Sequence, residues 1–119
     1  MNRIEAAISS ALIHWVKETY PEIIITATAN EKSYKETRQI GSLGIPDLIL
    51  FDLRDGRVLF LELKKKKGKL LPSQITWNAK FDTCHPPNFS RAVAYGFLEA
   101  KRIIKDVIGV SAPTTPLIS

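Results

Sequence analysis

Asp47, Glu62 and Lys64 are the residues of this chain whose types and spacing could do chemistry together. Asp47 follows Gly44-Ile45-Pro46 and opens an apolar run, which Arg54-Asp55-Gly56-Arg57 interrupts; a second apolar run ends in Glu62-Leu63-Lys64. Two strands joined by a hairpin account for that pattern. With Asp55-Gly56 as a two-residue turn, Arg54 faces Arg57, Asp47 falls opposite Lys64 and Ile49 opposite Glu62. Strand side chains alternate between faces, so Asp47, Glu62 and Lys64 share one face while Leu59, Leu61 and Leu63 point the other way into a core. Asp47 and Glu62 are then diagonal neighbours, about 7–8 Å apart at Cα and within reach of one ion. Two such carboxylates would suit a hard cation such as Mg²⁺. An ion there could polarise a phosphodiester and activate water, with the lysine offsetting developing charge. A cross-strand Asp47–Lys64 ion pair on a surface hairpin, worth under about 1 kcal/mol, fits the same residues. The strands alone leave both readings open.

The charge distribution favours an anionic partner. The net charge is +5, and ten of the 17 basic residues lie between Glu31 and Leu71. Lys65, Lys66, Lys67 and Lys69 directly follow the Glu-x-Lys, and Lys32, Lys35 and Arg38 precede the hairpin. Such a run is either a solvated edge or a set of phosphate contacts. Other chemistries are poorly served. Cys84 is the single cysteine, which fits a reducing compartment and a plain thiol. His14 and His85 lack ligand spacing, so zinc is not expected. No glycine-rich phosphate loop is present, so no nucleotide cofactor is expected. No apolar run approaches 18 residues, and Met1-Asn2-Arg3-Ile4-Glu5 is unlike a secretory leader, so a cytoplasmic location without membrane contact is expected.

A chain of 119 residues suggests one domain, here 1–110, with a loose tail at 111–119 that holds two prolines. Ile4, Ile8, Ala11, Leu12, Trp15 and Thr19 have the spacing of an amphipathic helix over 3–20, closed by Pro21. Glu5 lies at the border of that stripe, either as an exposed first-turn acid or pointing along the edge of what the helix covers. Strands are expected at 22–28, 48–53, 58–63 and 90–95, and helices at 73–83 and 97–108. A long polar loop fills 29–44 and a basic one 65–71. The order helix, strand, strand, strand, helix, strand, helix is an α/β fold, a mixed sheet flanked by helices. The crossover through the 73–83 helix implies parallel pairing of the last two strands.

At this resolution of reading the chain resembles a known family. Asp47, fourteen intervening residues, then Glu62-Leu63-Lys64 is similar to the PD-(D/E)XK nuclease signature. Gly44-Ile45-Pro46-Asp47-Leu48, Leu61-Glu62-Leu63-Lys64 and Leu71-Pro72-Ser73-Gln74 with Trp77 resemble the VRR-NUC branch, as does Ala29-Asn30-Glu31. The resemblance covers about residues 3–108 and implies a restriction-endonuclease-like fold. It implies that Asp47 and Glu62 bind Mg²⁺ or Mn²⁺, aided by the Leu63 carbonyl and by Glu5 directly or through water. Lys64 would position water or stabilise the transition state, and Gln74 would support the site; Trp77 is expected in the core. Stand-alone members resemble small Holliday-junction resolvases of phages and bacteria that act as homodimers on DNA. Alternatives are a flap or sequence-specific endonuclease, or a non-catalytic DNA-binding subunit of the same fold. The first helix, with Ile13 and Tyr20 off its main stripe, offers one dimer surface.

Overall fold

A computed structural model describes residues 3–28 and 44–109. The Asn30 stretch, Lys32, Lys35 and Arg38, and the expected tail at 111–119 lie outside the described residues. The elements are α1 (Arg3–Thr19), β1 (Ile23–Ala27), β2 (Leu48–Asp52), β3 (Arg57–Lys64), α2 (Pro72–Thr83), β4 (Phe89–Tyr95) and α3 (Phe97–Val107). The sheet runs in the order β1-β2-β3-β4. The first two pairings are antiparallel and β3–β4 is parallel, as the crossover through α2 requires. No helix among the described residues is long and apolar enough to cross a membrane.

One sheet face carries the core. Leu48 and Leu50 of β2, Leu59, Leu61 and Leu63 of β3, Ala94 of β4, Leu12 and Val16 of α1 and Ala100 and Ile104 of α3 are fully buried together. On α1 the buried line is Glu5, Ser9, Leu12 and Val16, while Ile4 is 55% exposed. Glu5 therefore sits on the buried face, not at its border. Ile13 and Tyr20, off the main stripe, are half-buried against the core, with Tyr20 edge-on to Trp15.

The hairpin corrects the expected register. Asp52 pairs with Arg57, so the connection is 53–56 and not Asp55-Gly56 alone. The cause is Asp52, whose buried carboxylate accepts from the Arg54 backbone N–H at 3.0 Å and from its guanidinium at 3.0 and 3.1 Å. That capture turns the chain before Arg54 can pair across. Gly56 completes the turn with φ +79° and donates its N–H to the Asp52 carbonyl. Every pair shifts by two residues, which preserves which face each side chain occupies. Continued one step past Leu48–Leu61, the register sets Asp47 level with Glu62 and no longer with Lys64.

The opposite face holds α2 by an aromatic cluster, in which Phe60 of β3 meets Trp77 and Phe81 at 5.5 and 5.6 Å. Trp77 is half-buried there, a packing residue as expected. Gly44 seats the start of the same helix. Its φ is +75°, and a Cβ on it would lie 2.1 Å from the Ser73 carbonyl oxygen. Gly44→Ala should therefore lower the Tm by at least about 5 °C, the left-handed penalty alone being about 1–2 kcal/mol. A thermal melt within 1–2 °C of the parent, on the order of the smallest resolvable change, would show that the close approach is not made.

Candidate active site

The ends of β2 and β3, the first turn of α2 and the first turn of α1 meet around one pocket of about 270 Å³. Its walls include Glu5, Asp47, Glu62, Lys64, Lys65, Lys69 and Gln74, so all five expected catalytic side chains lie in one place. Each is positioned by a local reason. Asp47 directly precedes β2, and its backbone is held by Thr28: the Thr28 N–H donates to the Asp47 carbonyl at 2.9 Å and its hydroxyl to the Pro46 carbonyl at 2.9 Å. The Asp47 carboxylate in turn accepts from the Leu63 N–H at 2.8 Å. Leu63 thus enters the site through its N–H, with its side chain in the core.

Glu62 and Lys64 alternate with the core leucines of β3 and are themselves buried, with 4% and 7% of their surface exposed. The Lys64 ammonium lies 3.9 Å from the Glu62 carboxylate. Gln74 reaches the same carboxylate, its amide N–H₂ donating at 2.8 Å. The other end of that amide accepts from the Leu71 N–H at 2.7 Å, half of a capping box at the start of α2. A capping interaction therefore fixes which way Gln74 points. Glu5 accepts from the Lys65 N–H at 3.3 Å and so ties α1 to the basic loop after β3. Lys65 and Lys69 line the pocket, whereas Lys66 and Lys67 are exposed beyond it. Lys67 adopts φ 66°, the left-handed conformation, in a turn that the Gly68 N–H closes by donating to the Lys65 carbonyl at 2.8 Å. The Thr28 clamp was not legible in the sequence, where Thr28 reads only as the end of an Ile- and Thr-rich strand.

The two carboxylates oppose ionising together. Burial pushes Glu62 up, the adjacent Asp47 charge and a hydrogen bond to Asp47 push it further, and Lys64 offsets part of this; its pKa rises to about 9. Burial also raises Asp47, against the opposing pull of the Leu63 N–H and of the Glu62 hydrogen bond. At neutral pH the pair shares a proton, with the Glu62 carboxyl donating to the Asp47 carboxylate. Among the described residues no set of three or more His, Cys, Asp or Glu side chains is close enough to hold a metal ion. The tight acidic donors are Asp47 and Glu62. Two hard-oxygen groups held together only by a proton are a donor set that fits a divalent cation.

The VRR-NUC domain model matches residues 9–98. The chain belongs to the VRR-NUC family. The match spans Asp47, Glu62, Lys64 and Gln74 and begins after Glu5. One solved structure, described as a VRR_NUC domain protein, superposes with a TM-score of 0.62 at 18% identity, covering 92% of this chain and 91% of that one. A second, described as a VRR_NUC domain, gives 0.61 at 19% identity, with 87% and 97% covered. No curated protein matches the chain significantly. The mixed sheet with three helices is thus the VRR-NUC fold, a nuclease-type fold.

The shared proton has a consequence for stability. Glu62 in the folded protein keeps its proton up to about pH 9, whereas the unfolded chain loses it near 4.5. Between those values the folded state binds more protons, so this group makes the metal-free protein less stable as pH rises. Glu62→Gln should therefore melt higher than the parent at pH 8 and converge with it near pH 4, read by thermal melts in EDTA. A parent that gains stability over the variant as pH rises would contradict the shared-proton pair.

Proposed function

We propose that this VRR-NUC domain is a divalent-metal-dependent endodeoxyribonuclease that cuts branched DNA, acting as a homodimer on four-way junctions. The observation that carries this reading is the proton-sharing pair of half-buried Asp47 and buried Glu62, with Lys64 and Gln74 on the Glu62 carboxylate. A structural ion pair would neutralise its acids, whereas this pocket leaves two acids in need of one more positive charge.

Asp47 and Glu62 would hold Mg²⁺ or Mn²⁺, with the Leu63 carbonyl as a further donor and Glu5 acting through water. Bound there, the ion would polarise the phosphodiester and make water acidic enough to attack it. The protein's own groups account for the rest. The Leu63 N–H and the Gln74 amide fix the two carboxylates. Lys64 supplies a fixed positive charge where negative charge grows on the scissile phosphate, aimed before reaction and therefore without reorganisation. Lys65 and Lys69, on the pocket wall, would receive the neighbouring phosphates of the strand. One such pocket cuts one strand; two copies related by a twofold axis would make the paired nicks that a symmetric junction needs.

Labelled four-way junction, flap and linear duplex, each with Mg²⁺, with Mn²⁺ and with EDTA, test the reading. Paired symmetric nicks in the junction are expected, absent in EDTA and reduced about 100-fold or more in Lys64→Ala and Glu62→Ala. Cleavage that persists in EDTA would overturn the metal mechanism, and cleavage of the flap alone would replace the junction as substrate. Tight binding without cleavage would make the domain a binding subunit. A monomer by gel filtration, alone and on DNA, would remove the homodimer.

The lysine loop has its own expected outcome. Lys65→Ala or Lys69→Ala should weaken binding to all DNA forms and flatten the dependence of log K on log salt by about one unit. An unchanged slope would assign these residues to a solvated edge.

A further inference from the structure

A second open pocket, of about 370 Å³, lies at the far end of α2 on the same side of the sheet, lined by Phe81, Asp82, His85, Phe89, Ser90 and Arg91. Its rings form a ladder. Trp77 and Phe81, four residues apart on α2, stack at 5.3 Å with an interplanar angle of 24°. Beyond the helix end His85 stacks on Phe81 at 4.7 Å and 8°. Packing explains the inner rungs, because Phe60 touches Trp77, Phe81 and Phe89 and fastens α2 to the sheet. Packing does not explain the outer rung: His85 is exposed, and among the described residues no second ring covers it.

The rim of the pocket carries a fixed ion pair. Asp82 accepts from Nε and Nη2 of Arg91 at 2.8 and 2.7 Å, which fixes the guanidinium plane. Its Nη1 has no hydrogen-bond partner among the described residues. A flat ring that prolongs a stack, beside a guanidinium held in plane by Asp82 with an N–H left to donate, suits a nucleobase and its acceptor edge. A base inside a duplex cannot use the ring, since its own neighbours cover both faces. The ligand is therefore an unpaired base.

Distance ties this pocket to the first. Gln74 touches Glu62, and from Gln74 to Phe81 the helix advances seven residues, about 10 Å at 1.5 Å per residue. His85 lies further along the same line. A strand advancing about 3.4 Å per nucleotide covers that span in about three to five nucleotides. We infer that the Phe81–His85 ladder with Arg91 is a stacking site for an unpaired base of the substrate strand, about three to five nucleotides from the scissile phosphate. The inference rests on the metal-dependent nuclease reading above but not on its four-way junction, whose arms are fully paired; within branched DNA it selects forms that carry single-stranded nucleotides beside duplex.

The test is binding of the full chain in EDTA, at fixed salt, to a blunt duplex and to the same duplex with a six-nucleotide 5′ or 3′ tail. 2-Aminopurine is placed at each tail position in turn. One tailed form should bind about tenfold tighter than blunt duplex, and fluorescence should fall on binding for the third to fifth tail positions. His85→Ala should abolish the gain and the quenching while leaving blunt-duplex affinity and Tm unchanged, and His85→Trp should restore both. Equal affinity for tailed and blunt DNA, or quenching that survives in His85→Ala, would overturn the stacking site. Because no cleavage is measured, tail-dependent binding without metal-dependent cutting would sink the nuclease reading alone. Cutting without tail-dependent binding would sink only the stacking site.

Discussion

Two neighbouring carboxylates, Glu62 buried on β3 and Asp47 half-buried just before β2, are the constraint around which the rest of this structure is arranged. Asp47 and Glu62 cannot both ionise without help, because burial and mutual repulsion act in the same direction. The surrounding contacts are what such a pair needs to exist at all. A backbone N–H holds one acid, a side-chain amide and an ammonium hold the other, and a proton joins them. Lys64 offsets one of the two negative charges, and the second is absent only while the proton stays. A site that keeps two such acids together gives up stability that a hydrophobic pair would have supplied.

β3 shows how a small domain sustains such a site. Its odd-numbered residues Leu59, Leu61 and Leu63 are fully buried in the core, and its even-numbered Phe60, Glu62 and Lys64 face the other way. The strand is thereby clamped from one side by burial of three leucines, each worth about 1.5–3 kcal/mol. The charged residues between them inherit that rigidity without contributing to it. Hydrogen bonding on both edges, to β2 and β4, leaves the strand no freedom to slip. Slippage by one residue would exchange leucines for charges, so register and site are specified by the same burial.

This logic also explains what the sequence could and could not disclose. Period-two alternation put Asp47, Glu62 and Lys64 on one face, and that holds because alternation depends on parity alone. The expected hairpin turn was wrong by two residues, since Asp52 reads as one more strand residue and its grip on Arg54 is a side-chain event. The error changed which residue faces Asp47 without changing the face. Glu5 was misplaced for a different reason. A helical wheel weighs apolar residues, and the buried line of α1 contains Glu5 and Ser9 where the wheel preferred Ile4. The Thr28 clamp joins residues 18 and 19 positions apart, and no local pattern encodes such a contact. Gln74 was reachable only through resemblance; its physical reason, a cap that aims the amide at Glu62, needed the fold.

The most unusual element is α2. None of its residues is fully buried, so the ordinary reason for a helix to stay on a sheet is weak here. It is held at two places. Its first turn is tied by Gln74 to Glu62 and abutted by Gly44, and its later turns rest on Phe60 through Trp77 and Phe81. A helix fastened mainly at its ends transmits position between them, because a shift of the aromatic end must move the amide at the other. Partial exposure leaves a pocket at each end of the helix, and a fully packed helix would have closed them. Weak burial of α2 thus leaves open the side of the sheet on which the same helix, through Gln74, orients Glu62.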